Sequence, residues 1–192
     1  FNFLDDVTVS MKTHLIHNVV SDKELFFIYR ELISSPAWRV SGISEPLEYN
    51  SNKQFSHSPL YMVKSAEGKI QNYPLYLYVS TLVFRMAEIF KNKNIGMHTK
   101  IKRSWFNITY SNSENHWLHQ DDKDSTFQTV LMFMTPIWQD SWEGSLYVDG
   151  EKFEFKPGSA LLFNSQEFHT GKKPTDKTHN WMRMTLNIML EP

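Results

Sequence analysis

The stretch HWLHQDD, residues 116–122, places two histidines and two aspartates in seven positions. Side chains alternate along an extended chain, so His119 and Asp121 project from one face. His116, Leu118, Gln120 and Asp122 project from the other. That alternation selects His119-x-Asp121 as a ligand pair, because pairing His116 with His119 needs a helix. Two ligands hold a transition metal weakly, and a third must come from elsewhere. Downstream, PGSALLFNSQEFHTG supplies a strand, a turn and then His169. The chain has no cysteine, which excludes thiolate zinc, iron–sulfur and disulfide chemistry, so any ion is held by His, Asp or Glu.

A fourth element strengthens the set. Arg183 sits in the apolar run MRMTLNIML, where burying a guanidinium without an anionic partner is costly. A guanidinium fits a carboxylate in a bidentate way, and Thr185, two residues on, shares its strand face. The competing reading pairs Arg183 with a protein Asp or Glu. Two His and one carboxylate on one side of an ion leave the opposite positions open, the geometry of non-haem Fe(II) oxygenases. Asp122 and Asp124 read as solvated acids; His14, His17, His57, His98 and His179 show no partner pattern and read as surface or packing residues.

The elements that must position these groups follow from periodicity. VVSDKELFFIYRELISS reads as a helix with Ser21 as N-cap, Glu24 completing a capping box, and Val20 stapled onto Leu25. A second helix is expected from about Leu75 to Lys91, after Pro74. Its Leu75, Tyr78, Val79, Leu82, Met86, Ile89 and Phe90 form one stripe, read as core. After Asn94 the pattern changes to short aromatic and β-branched runs: IKRSWFNITY, TFQTVLMFMT, GSLYV, KFEF, SALLFN and MRMTLNIML. Turn signals separate them. Many strands without intervening helices predict an antiparallel sandwich or barrel, with the two helices supporting one face. The polar segment Val40 to Gln71 is expected to cover one end.

The 192 residues contain 14 Phe, 6 Trp and 8 Tyr, enough apolar area for a large core. No linker or repeat divides the chain. One domain is expected, with residues 1–95 as helical support and cover and residues 96–192 as the core strands. Net charge is −1, which gives no global pull toward nucleic acid or anionic membrane. No apolar run approaches a membrane span, and the opening FNFLDDVTVSMKTHLI lacks a secretory pattern. A cytoplasmic protein is the expectation. The chain opens on Phe1 rather than Met, as a piece of a longer protein would.

His119-x-Asp121, His169 some 48 residues later, and Arg183 together resemble the Fe(II)/2-oxoglutarate-dependent oxygenase superfamily. The likeness covers roughly residues 103–190. PGSALLFNS…FHTG is similar to the family's strand and turn around its distal histidine. WEGSLYV resembles a segment beginning Gly-Gly in prolyl-hydroxylase-like members, with Glu143 in place of the first Gly. Tyr110 stands nine residues before His119, where many members carry a tyrosine that touches the co-substrate. The resemblance implies a double-stranded β-helix (jelly-roll) core, mainly β with supporting helices. It implies His119, Asp121 and His169 as Fe(II) ligands and Arg183 as the grip on the distal carboxylate of 2-oxoglutarate, with Thr185 and Tyr110 assisting. With O2, such a centre oxidises a nearby C–H bond and releases succinate and CO2. Asp121, rather than Gly or Ala, argues for hydroxylation over halogenation.

The expected substrate is a peptidyl (prolyl-like) or small-molecule C–H donor. HQDDKD also resembles a stretch of the AlkB-type nucleic-acid dealkylases, but the second arginine of that group is Met189 here, so nucleic acid is disfavoured. Lys91, Lys93, Lys100, Lys102 and Arg103 form a modest basic cluster, read as a solvated helix end and strand start. The third class is a jelly-roll protein that keeps a metal without turnover, or uses one for non-redox chemistry. Trp138 and Trp142 are open to two readings, substrate mouth or buried packing. Lys64 to Asn72 reads as a surface loop, with a mobile lid as the alternative.

Overall fold

A computed structural model describes residues 12–40, 59–113, 116–175 and 181–192. The elements run β1 (His14–Ile16), α1 (Asp22–Ile33), β2 (Arg39–Val40), β3 (Pro59–Lys64), α2 (Tyr73–Lys91), β4 (Lys100–Thr109), β5 (Gln128–Phe133), β6 (Leu146–Val148), β7 (Glu151–Phe153), β8 (Ala160–Asn164), β9 (His169–Gly171) and β10 (Arg183–Glu191). Among the described residues the strands form a major sheet, ordered β1-β8-β5-β10-β4-β3-β2, and a minor sheet, β7-β6-β9. Every described pairing is antiparallel.

Strand alternation gives the major sheet two different faces. Met184, Leu186, Ile188 and Leu190 of β10 join Phe106, Ile108, Val130, Met132 and Leu162 in a core shared with both helices. The opposite face, with Leu131, Phe133, Leu161 and Phe163, meets Leu146, Val148, Phe153 and Phe155 of the minor-sheet side. Arg183, Thr185 and Asn187 have this second parity and lie buried between the two sheets. The helices therefore brace one face, as the patterning predicts, and the other face is left for a site.

Helix α1 begins with the complete capping box: Ser21 Oγ accepts from the Glu24 N–H, and the Glu24 carboxylate accepts from the Ser21 N–H at 3.0 Å. Val20 and Leu25 are both buried in the helix-side core. Helix α2 starts two residues earlier than expected, because Asn72 caps it through the Leu75 N–H at 3.0 Å and Pro74 fits inside the first turn. Val83 joins the buried stripe, while Leu75, Tyr78 and Ile89 are partly buried against it.

The N-terminal half is more than helical cover. β1 pairs with β8, and β3 pairs with β4, so both extend the major sheet. Of the expected cover Val40 to Gln71, residues 41–58 lie outside the described residues. Lys64 to Asn72 forms a closed turn, with a Lys64–Ile70 bridge and the Ser65 N–H donating to Lys69 O at 2.9 Å. It is an ordinary hairpin-like turn rather than a lid. Among the described residues no helix is long and apolar enough to cross a membrane.

Candidate metal centre

Residues 116–122 do not form a regular strand. They run along β9 and are stitched to it by single bonds. The His119 N–H donates to His169 O (3.1 Å), the His169 N–H donates to His119 O (2.9 Å), and the His116 N–H donates to Gly171 O (3.1 Å). The N–H groups of Asp121 and Asp122 converge on Ser165 O, at 3.0 and 3.2 Å. This zipper brings three chemically apt atoms together. His119 Nε2 lies 3.8 Å from Asp121 Oδ1, and His169 Nε2 lies 3.7 Å from Asp121 Oδ2. One donor atom from each residue falls within 4.8 Å of the others. Atoms each ~2.1 Å from one ion would stand about 3 Å apart, so a small contraction would let these three residues hold a single ion.

The protonation pattern of this group suits a cation. His119 Nδ1 is bonded to Trp117 O at 2.8 Å, and His169 Nδ1 to Glu167 O at 3.0 Å. A carbonyl only accepts, so each Nδ1 carries a hydrogen and each Nε2 is turned toward the Asp121 carboxylate. Burial keeps the His169 imidazole below its ordinary range, only partly opposed by the Asp121 charge. Burial alone would raise the Asp121 carboxyl. The charges of His169 and His119, the Thr129 hydroxyl at 2.7 Å and Arg103 outweigh it and hold the group below the usual carboxylate range. Arg103 also donates to the Asp121 carbonyl at 3.0 Å. Two imidazoles and one carboxylate, each oriented by a second partner, fit a divalent first-row metal.

Behind the triad lies Arg183, 2 % exposed. Its Nε donates to Gly144 O at 2.6 Å, its guanidinium stands 5.6 Å from the Phe155 ring centre, and its Nη2 is buried without a partner among the described residues. No Asp or Glu among those residues pairs with it, so the protein-acid reading fails there. Burial lowers its pKa to about 10, which leaves it charged at neutral pH. Two glycines form its slot: a Cβ on Gly171 would meet Nη2 at 3.2 Å, and one on Gly144 would meet the Arg183 Cδ at 3.2 Å. Thr185, also 2 % exposed, follows on the same face.

Two sequence expectations are corrected. Tyr110 does not join this group. Thr109, the direct partner of Arg183 in the β4–β10 ladder, ends β4, and Tyr110 lies just beyond it. It is 39 % exposed and its electrostatic neighbour is Tyr29 of α1. His116 does not point away. Its Nε2 lies 2.9 Å from Thr109 Oγ1, and burial, followed by the charges of Arg183, His119 and His169, drives its pKa down to about 3. The alternation argument fails there because residues 116–118 have no ladder to enforce it.

The remaining expectations sort readily. Trp138 packs on Phe155 with ring centres 4.4 Å apart, Trp142 is buried beside it, and Trp138 Nε1 donates to Glu143 O at 2.8 Å. Both tryptophans pack behind the arginine slot rather than lining a mouth. Asp122 pairs with Lys102 at 3.1 Å, and Lys100 pairs with Glu191 at 3.1 Å, so part of the basic cluster is already neutralised.

The sequence matches no family model and no curated protein. The fold does find relatives. A prolyl-4-hydroxylase from Pseudomonas putida superposes with a TM-score of 0.66 at 14 % identity, covering 98 % of this chain and 96 % of that one. A 2OG-Fe(II) oxygenase family oxidoreductase from Burkholderia pseudomallei gives a TM-score of 0.62 at 15 % identity, covering 93 % and 84 %. This chain has the jelly-roll fold of the 2OG-Fe(II) oxygenases. A Trichoplax adhaerens prolyl hydroxylase, in complex with a peptide fragment of hypoxia inducible factor, gives 0.63 at 17 % identity, covering 93 % and 83 %.

Proposed function

We propose that the protein is an Fe(II)- and 2-oxoglutarate-dependent dioxygenase that hydroxylates a C–H bond of a peptidyl, prolyl-like or small-molecule substrate. In this reading His119, Asp121 and His169 hold the metal and Arg183 binds the distal carboxylate of 2-oxoglutarate, with Thr185 beside it. The observation that carries the reading is Arg183, a buried, charged guanidinium whose Nη2 has no partner among the described residues, beside a His-Asp-His set. A site built for an anion next to a site built for a cation matches a co-substrate with a chelating 2-oxoacid at one end and a carboxylate at the other. The relatives of like fold include prolyl hydroxylases, one of them bound to a peptide fragment, which supports the peptidyl class.

The chain's own contributions follow from position. The Trp117 and Glu167 carbonyls orient the two imidazoles so that Nε2 of each would bind the ion, and Thr129 fixes one carboxylate oxygen. When bound, Fe(II) with 2-oxoglutarate and O2 supplies the oxidising chemistry, with succinate and CO2 as products. Phe133, Phe155 and Phe163 are packed in the apolar cluster between the sheets, surroundings in which an Arg183–carboxylate attraction would be strengthened. Met189, 1 % exposed and of the same strand parity as Arg183, gives the site no second arginine, and this supports the peptide or small-molecule class over nucleic acid.

The test is anaerobic addition of Fe(II) and 2-oxoglutarate, with the weak visible charge-transfer band of the chelate as readout. Succinate release on admitting O2 is then measured. A band with succinate formation is expected. Metal binding without either signal would turn the assignment to a non-redox metal protein. A screen of peptides and amino acids for a gain of one oxygen atom then identifies the substrate.

A further inference from the structure

On β10 the residues turned toward the site are buried, whereas Arg103, Trp105 and Asn107 on the neighbouring β4 are only half-buried. The accessible flank of the site face therefore runs along β4. Met189 brings no charge to the site from β10, but its ladder partner is Arg103, and Asn187 pairs with Trp105. Side chains so paired share one face of the sheet, so Arg103 and Trp105 stand on the Arg183 side. Two other cations of this strand have close acids, Lys100 in Glu191 and Lys102 in Asp122, each at 3.1 Å. Arg103 reaches an acid only at 4.0 Å, at Asp121 Oδ1. Its guanidinium lies 4.7 Å from the Trp105 ring centre, and its Nη2 donates to the Asp121 carbonyl at 3.0 Å. Nη1 makes no hydrogen bond among the described residues, and Nε is enclosed there without a partner. Stacking on an indole holds the guanidinium plane and leaves its edge for a planar anion.

Resting on the dioxygenase reading, we propose that Arg103, braced on Trp105, anchors a carboxylate of the substrate, and that the substrate is a small carboxylic acid, such as a free amino acid, rather than the interior of a peptide. Charge favours this class. A divalent ion on Asp121 and dianionic 2-oxoglutarate on Arg183 leave that group of four neutral, and Arg103 adds one uncompensated positive charge beside it. A monoanionic carboxylate matches that charge; a backbone carbonyl does not. Distance favours it too. With Nη2 only 4.0 Å from Asp121 Oδ1, an anion on Arg103 lies within a few bond lengths of the metal-binding carboxylate. The oxidised carbon and the anchored carboxylate then belong to one compact molecule. A phosphate carries more charge than Arg103 alone offsets, and Lys100 and Lys102 are already paired, which sets nucleotides aside.

The experiment uses Mn(II)-loaded protein saturated with 2-oxoglutarate in the absence of O2, so that nothing turns over. Paramagnetic broadening of ligand proton signals then reports which molecules sit near the ion. The probes are free amino acids and simple carboxylic acids, their carboxamides, end-capped peptides and nucleoside monophosphates. Broadening is expected for at least one acid and not for its carboxamide, the capped peptides or the nucleotides. Arg103→Gln, which keeps an N–H for the Asp121 carbonyl, should weaken that acid about tenfold or more. Arg103→Lys keeps the charge and should retain part of the affinity. Calorimetry should find Mn(II) and 2-oxoglutarate binding intact in both variants. Four results overturn the inference while the dioxygenase reading stands: no acid broadened, equal broadening by a carboxamide, capped peptide or nucleotide, undiminished acid binding in Arg103→Gln, or an equal loss of Mn(II) in that variant. The last would make Arg103 a brace for Asp121 alone. A wild-type protein that binds Mn(II) but no 2-oxoglutarate overturns that reading, and this inference with it.

Discussion

His119 and His169 exchange both of their backbone hydrogen bonds, at 3.1 and 2.9 Å, and their rings lie 4.2 Å apart as a result. Two residues far apart in sequence are held face to face by main chain, before any ion is considered. A metal held there would meet a site whose geometry the fold has already set. Removing metal with a chelator should leave the near-ultraviolet circular dichroism unchanged. His119→Ala and His169→Ala should abolish metal binding while keeping that same spectrum. Loss of tertiary signal on chelation would show that the ion, not the ladder, aligns the ligands.

Thr129 is fully buried and donates to Asp121 Oδ2 at 2.7 Å. Thr129→Val removes that bond at nearly constant shape. Partners of metal ligands typically contribute roughly 10–100-fold to affinity, so Mn(II) binding is expected to weaken by that factor. Isothermal titration against wild type measures it.

Gly171 touches the guanidinium of Arg183, and an added methyl would stand 3.2 Å from Nη2. Gly171→Ala is therefore expected to push the arginine aside. The affinity for 2-oxoglutarate should drop about tenfold, with metal affinity retained. Arg183→Ala should show the same division more severely. Equal loss of metal in either variant would contradict the separate roles given to arginine and triad.

Acid should destabilise the metal-free protein earlier than its carboxylates alone would. His116 has a folded pKa of about 3, and burial also lowers His169, whereas the unfolded rings titrate near 6.5. Below about 6.5 the unfolded chain binds more protons, so stability falls with falling pH, by up to about 1.4 kcal/mol per pH unit for each ring. Urea unfolding at pH 7, 6 and 5 should show this slope, and His116→Gln should remove its share.

Glu143 occupies φ 58° and ψ −129°, a conformation that side chains resist. Glu143→Gly should relieve this strain and stabilise the fold by about 1 kcal/mol, after allowing for the extra freedom glycine has when unfolded. A rise in melting temperature is the readout.

What could be read from sequence was what local chemistry determines. Ser21 and Glu24 are three residues apart, and their capping box formed as expected. The long β4 and β10 were visible because alternation persists along their 10 and 9 residues. The three-residue β1 and β9 carry no such pattern and exist only through distant partners, Leu162 and Val148 among them. At the site, the spacing of His119, Asp121, His169 and Arg183 was informative because short extended segments carry them. Tyr110 and His116 were misplaced for a shared reason. Tyr110 lies just past the end of β4, with Tyr29 as its neighbour, and His116 lies in a segment outside any strand, so alternation governs neither.

The zipper between residues 116–122 and β9 has a further consequence. β9 is hydrogen-bonded to β6 on one side, and its other flank would be a bare strand margin open to pairing with a second molecule. The ligand-bearing segment covers that margin. In the proposed reading, metal capture and protection of this strand margin would share the same few amide bonds, and damage that loosens the ligands would also bare an edge prone to self-association.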